Sequence, residues 1–196
     1  NPTGISVRNE ELEKMLKDRH ATFVVDEAYC EFSSRTAAPL LDEYDNLIII
    51  RSMSKYFCLA GFRIGYALSN PNVIESLEKV RLPFNINSLA STAAVHALQN
   101  LNYFKEIGQR IISERAILGR ELKKIGLEPL PSDANFLMVK LPAGHDVDKF
   151  TQELASGGVI VRSLKGLLGL SGEYFRVSVG TEDENKKLVQ ACAALL

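Results

Sequence analysis

The amino-acid sequence predicts an α/β fold, with a sheet covered by helices (α/β/α), followed by a smaller α+β unit at the C-terminal end. Three observations point there. Two aliphatic runs, Ala21-Thr22-Phe23-Val24-Val25 and Leu47-Ile48-Ile49-Ile50, are apolar on both faces and end in polar residues, as buried strands of a helix-covered sheet do. Segments with apolar residues at helical spacing separate and follow these runs. Past Gly126 the units shorten, and strands alternate with helices at closer intervals.

Asn1-Pro2-Thr3-Gly4 has turn chemistry, because proline holds one φ and glycine permits a positive one. Residues 8–19 carry Leu12, Met15 and Leu16 on a charged background and predict a surface helix. Two strands follow at the aliphatic runs, and Ile64-Gly65-Tyr66-Ala67-Leu68 is a third candidate. Residues 72–81 place Val73, Ile74, Leu77 and Val80 on one helical face. Residues 87–100 are rich in alanine and leucine, with Asn87 or Ser88 as the cap. Residues 102–125 form a long amphipathic helix, which Gly126 ends in the usual C-terminal way. Residues 135–141, 159–162 and 174–179 read as strands, 146–155 as a helix, and Thr181 caps a final helix to Leu196.

Composition excludes several functions. Lysine plus arginine (23) nearly cancel aspartate plus glutamate (24), and no basic stripe stands out, so neither nucleic acid nor an anionic membrane is an expected partner. The longest aliphatic run is far short of the roughly 20 residues that a membrane helix needs. Cys30, Cys58 and Cys192 make no close pair, which favours a reducing cytoplasm over a disulfide scaffold. His20, His96 and His145 lack ligand spacing, so no metal site is expected. The opening Asn1, without a methionine or a targeting segment, leads to the expectation of an N-terminally truncated chain.

Ligands of open α/β sheets bind beyond the carboxyl ends of the strands. The first predicted strand ends Asp26-Glu27-Ala28-Tyr29. The second ends Arg51-Ser52-Met53-Ser54-Lys55, with Arg63 eight residues after the lysine. A phosphate suits Ser52, Ser54 and the forked cation of Arg63. A protonated ring nitrogen suits Asp26. An aldehyde suits the Lys55 amine, which can form a Schiff base once deprotonated. A phenolic oxygen suits hydrogen bonds from Tyr29 and Asn1. Pyridoxal 5'-phosphate carries all four features. Each residue also has a simpler use: Asp26 as a helix cap, Tyr29 as a core aromatic, Ser52 and Ser54 as turn residues, Glu27 as a structural hydrogen-bonding group.

Asn1-Pro2-Thr3-Gly4, Asp26-Glu27-Ala28-Tyr29 and Ser52-Met53-Ser54-Lys55 with Arg63-Ile64-Gly65 resemble, in order and spacing, the motifs of fold-type I pyridoxal-phosphate aminotransferases. Phe23 to Tyr29, Leu59-Ala60-Gly61-Phe62-Arg63 and Phe175-Arg176-Val177-Ser178-Val179-Gly180-Thr181 look most like the histidinol-phosphate branch of that family. The resemblance implies that residues 1–118 are the C-terminal part of a large cofactor-binding domain and 119–196 a small C-terminal domain. It implies that Lys55 holds the cofactor aldehyde and later shuttles a proton, and that Asp26 pairs with the pyridine nitrogen. Tyr29 and Asn1 would bond the ring hydroxyl oxygen, and Ser52, Ser54 and Arg63 the phosphate. Arg176, with Arg162 as a second candidate, would bind the substrate's acidic group. The expected reaction moves an amino group from histidinol phosphate to 2-oxoglutarate, in a cytoplasmic homodimer. The alternatives are a threonine-phosphate decarboxylase, a cofactor-sensing regulator and an inactive fragment.

Overall fold

Strand pairing organises each of two units in the computed structural model, which describes residues 1–33 and 35–196. One unit is Ser6–Gly108; the other joins Asn1–Ile5 to Gln109–Leu196. This division falls at 108/109, whereas the sequence reading divides the chain at 118/119; both positions lie within one unbroken helix, Leu101–Lys124.

In the Ser6–Gly108 unit, α1 (Asn9–Leu16) buries Leu12 and Leu16 and leaves Met15 outside. Asn46 fastens the turn that follows it: its Nδ2 donates to the carbonyls of Leu16, Asp18 and Ala21 at 3.0–3.2 Å. The chain then enters β1 (Phe23–Asp26), which pairs parallel with β2 (Leu47–Ser52) in the register Phe23↔Leu47 to Asp26↔Ile50. β3 (Gly65–Ser69) pairs antiparallel with β2, so β2 is the central strand. Leu47 and Ile49 are fully buried against Leu12, Leu16, Leu40 and Tyr44. The expectation of strands buried on both faces needs correction here: Val24 is 57% exposed and Ile50 44%. Alternate side chains point to opposite faces, and α1 with the 37–44 segment covers one of them.

Two capped helices follow, α2 (Pro71–Val80) and α3 (Ser88–Gln99). Asn70 and Asn87 supply the caps, accepting from the Asn72 and Ala90 amides at 3.0 and 2.8 Å. Ala94 and Ala97 of α3 pack with Met53 and Phe57 from the loop after β2. Between and along these helices runs a series of exposed apolar side chains: Val80, Leu82, Phe84, Leu89 and Val95. Phe84 is 99% exposed and lies in the left-handed region, with φ 56°.

The other unit holds the C-terminal part of α4 (Leu101–Lys124) and a four-stranded antiparallel sheet. Its strands are β4 (Glu128–Pro129), β5 (Phe136–Lys140), β6 (Arg162–Ser163) and β7 (Tyr174–Ser178), in the order β4-β5-β7-β6. α5 (Val147–Ser156) and α6 (Glu182–Ala193) pack Val147, Phe150, Leu154, Leu188 and Cys192 onto Leu137, Val139, Phe175 and Val177. Thr181 and Glu184 form a reciprocal capping box on α6. β6 is shorter than the predicted strand at 159–162. The Val159 amide turns back to the Leu154 carbonyl (2.9 Å), and Val159 and Val161 pack on the core instead of extending the ladder.

Phe175 is fully buried and stacks at 5.6 Å on Phe150. Phe175→Ala is expected to cost about 3–5 kcal/mol by emptying this core; denaturant unfolding followed by circular dichroism measures it.

Candidate active site

The parallel pairing of β1 and β2 brings two carboxyl ends to one edge of the sheet. Asp26 is level with Ile50, and the Glu27 amide continues the ladder to the Ile50 carbonyl at 2.8 Å. Beyond that level β2 runs on through Arg51 and Ser52 into the loop that carries Ser54 and Lys55. The loop closes on itself: Ser52 pairs with Gly65, the Met53 amide bonds the Ile64 carbonyl (3.2 Å), and the Leu59 amide bonds the Met53 carbonyl (3.0 Å). Arg63, two residues before Gly65, therefore returns to the strand end from which Ser52 leaves. Only glycine fits at position 65, since an added Cβ would lie 2.7 Å from the Arg51 carbonyl oxygen.

Six of the predicted site residues thus gather on adjacent strand ends: Asp26, Tyr29, Ser52, Ser54, Lys55 and Arg63. The Lys55 amine stands 5.7 Å from the centroid of the Tyr29 ring, within cation–π range. Asp26 Oδ1 accepts from the Ala28 amide (2.9 Å), holding the carboxylate against the turn that leads to Tyr29. The Ser54 amide donates to Ser52 Oγ (3.1 Å), so the Ser-x-Ser pair builds a turn as well as presenting hydroxyls. Arg63 Nη1 donates to the Ala60 carbonyl (3.0 Å). Cys58 and Arg63 both adopt left-handed backbone, φ 56° and 55°. Such conformations cost energy in a non-glycine residue and cluster at sites where geometry matters.

Chemically these groups fit pyridoxal phosphate. An exposed amine can meet the aldehyde, a carboxylate the ring nitrogen, a phenol the ring oxygen, and two hydroxyls with a guanidinium the phosphate.

The remaining three candidates belong to the other unit and lie near one another there. Arg176 Nη1 donates to Asn1 Oδ1 at 2.8 Å, and its guanidinium lies 5.0 Å from the Phe136 ring centroid. Arg162 is the direct cross-strand partner of Arg176. Opposed like charges on neighbouring strands repel, so this pair suits an anion.

The sequence reading did not single out Arg51, and it treated Glu27 as a plain structural group. Glu27 is buried and ion-paired to Arg51 at 2.9 Å. Burial pulls the Arg51 pKa down, but hydrogen bonds to Tyr66 and Glu27 outweigh it and leave the guanidinium above its ordinary range. Burial also lifts the Glu31 carboxyl above the usual carboxylate range, and burial with Glu31 nearby pushes the Cys30 thiol up to about 12. The pair follows from the β1–β2 register, which sets Glu27 one step past the Asp26–Ile50 pairing and level with Arg51.

The family pattern "Aminotransferase class I and II" matches residues 1–192, and the chain belongs to that family. Histidinol-phosphate aminotransferase 2 of Archaeoglobus fulgidus is 43% identical over 192 residues, covering 97% of this chain and 54% of its own length. The crystal structure of the histidinol-phosphate aminotransferase from Clostridium acetobutylicum superposes with a TM-score of 0.93 at 28% identity, covering all of this chain and 61% of that one. The Sinorhizobium meliloti histidinol-phosphate aminotransferase, solved in complex with pyridoxal-5'-phosphate, gives 0.86 at 31% identity, over all of this chain and 56% of that one. The chain therefore spans about half the length of the curated relatives it matches. The α/β fold class of the sequence reading agrees with these folds. Among the described residues no helix is long and apolar enough to cross a membrane.

Burial also pushes the Cys192 thiol up to about 12, while Cys58 is exposed. Iodoacetamide at about pH 8 is expected to modify Cys58 and spare Cys30 and Cys192 in the folded chain, read by peptide mass. Because the unfolded chain binds fewer protons above the ordinary thiol value of about 8.5, stability is complete below it and falls as pH rises toward the folded value of about 12. Melting temperature against pH reads this.

Proposed function

We propose that this chain is the cofactor-holding and C-terminal portion of a pyridoxal-phosphate-dependent aminotransferase that takes its amino group from histidinol phosphate and gives it to 2-oxoglutarate. The observation that carries the reading is the convergence of the Lys55 loop and the Asp26 turn on parallel strand ends, with Tyr29 beside the amine. The identity to a named histidinol-phosphate aminotransferase supports the donor.

When bound, pyridoxal phosphate supplies an electron sink for the bond broken at the substrate's α-carbon. Lys55 would hold the cofactor's aldehyde through its amine, and its Nζ is the base that would take and return the substrate's α-proton. Asp26 keeps the ring nitrogen protonated through its negative charge. Tyr29 and Asn1 would hydrogen-bond the ring's phenolic oxygen, and Ser52, Ser54 and Arg63 would hold the phosphate. Arg176 binds the substrate's acidic group, and Arg162 shares a doubly charged one, which relieves the repulsion between the two guanidiniums. The same reading assigns the protein to histidine biosynthesis in the cytoplasm and makes it a homodimer. The run of exposed apolar residues from Val80 to Val95 supports self-association.

Mixing the purified chain with pyridoxal phosphate is expected to give a visible absorption band and, after borohydride, a cofactor adduct on the Lys55 peptide. Lys55→Ala abolishes both. If the band survives in Lys55→Ala, the assignment fails. With histidinol phosphate as donor, a ketone product supports transamination, a decarboxylated amine from a phosphoamino acid would favour a decarboxylase, and binding without turnover a sensor. Arg176→Ala is expected to raise KM about 30- to 100-fold with a smaller change in kcat, the loss of one charge-assisted contact.

A further inference from the structure

Arg51 has no task in the chemistry above, yet its guanidinium is bonded on several sides. Its Nε donates to Glu27 Oε2 (3.0 Å) and its Nη2 to Thr36 Oγ1 (2.7 Å), with Nη2 also 2.9 Å from Glu27 Oε2. Glu27 Oε2 accepts a further bond from Thr36 Oγ1 (2.9 Å), and Oε1 accepts from the Ala37 amide (2.5 Å). Across the sheet Arg51 faces Tyr66, which hydrogen-bonds it, and Gly65 lets β3 approach its carbonyl. One guanidinium thus ties together the end of β1, the end of β2, the turn at 36–37 and β3.

Stability alone is a poor account of this arrangement. Taking a buried carboxylate and a half-buried guanidinium out of water offsets much of what their attraction returns, and apolar side chains of similar volume often serve as well. What an apolar pair lacks is direction. Glu27 follows Asp26, and side chains alternate along a strand, so a fixed Glu27 on the covered face sets where Asp26 points on the open one. Arg51 in turn precedes Ser52 and sets the departure of the Lys55 loop.

We propose that Glu27, Arg51 and Thr36 form a positioning clamp that sets the Lys55 amine against the Asp26–Tyr29 turn. The clamp rests on the cofactor reading above and deepens it: these residues touch neither cofactor nor substrate, and act by aligning the groups that do. Misplacement by even an ångström at such a site is costly.

The test compares the full chain with Arg51→Lys, which keeps the charge but not the fork, and with the double variant Glu27→Met/Arg51→Met. In the cofactor-free protein, a nuclear Overhauser contact between the Lys55 ε-methylene and the Tyr29 ring is expected in the parent and lost in the double variant, while circular dichroism and melting show both folded. The dissociation constant for pyridoxal phosphate is expected to rise about tenfold or more in the double variant, with a shifted absorption band, and by less in Arg51→Lys. A folded double variant that keeps the Lys55–Tyr29 contact overturns the clamp, whatever the cofactor does. If the double variant does not fold, Arg51→Lys decides by the same measurements, and parental behaviour overturns the proposal. Failure of the cofactor reading looks different: the parent itself then shows no Lys55-dependent adduct, and the contact measurement still judges the clamp.

Discussion

Parallel pairing of Phe23–Asp26 with Leu47–Ile50 is the constraint from which the site follows. Parallel strands end at the same edge, so whatever succeeds them in sequence succeeds them side by side in space. Here the successors are an acid and a phenol on one strand, and hydroxyls and an amine on the other. β3 then closes the loop antiparallel, returning Arg63 to the edge that Ser52 leaves. No single residue makes the candidate site; two hydrogen-bonded ladders do, held at their ends by the Glu27–Arg51 ion pair.

The antiparallel sheet of the other unit obeys different rules. Its strands have one face against α5, α6 and the end of α4, and the opposite face sets Arg162 and Arg176 beside the buried Phe136 and Met138. Arg162 and Arg176 meet there because antiparallel register places them directly opposite, and Phe136 gives Arg176 a ring to lie against. Two cations set opposite each other repel, a cost that a bound anion would offset.

Much of this was legible in the residues. The aliphatic runs, the Asn caps and the Thr181–Glu184 box rest on local chemistry, and they reappear with small shifts at their ends. Strand-end placement was legible as well, because Asp26 and Lys55 each follow such a run. Three features were not. The open face of β1 and β2 depends on what packs above it, which the alternation of apolar residues cannot reveal. The contraction of the strand at 159–162 depends on a helix C-terminus that draws Val159 back to Leu154. The Glu27–Arg51 bond joins positions 24 residues apart, and only the register of β1 on β2 makes them neighbours.

Phe84 presents a whole ring to water from a left-handed backbone, amid leucines and valines that are also wet. Water around such a surface is released whenever two of them touch. Salting-out agents, which strengthen apolar association, and mild detergents, which cover apolar surface, therefore act in opposite directions on the Leu82–Leu89 stretch.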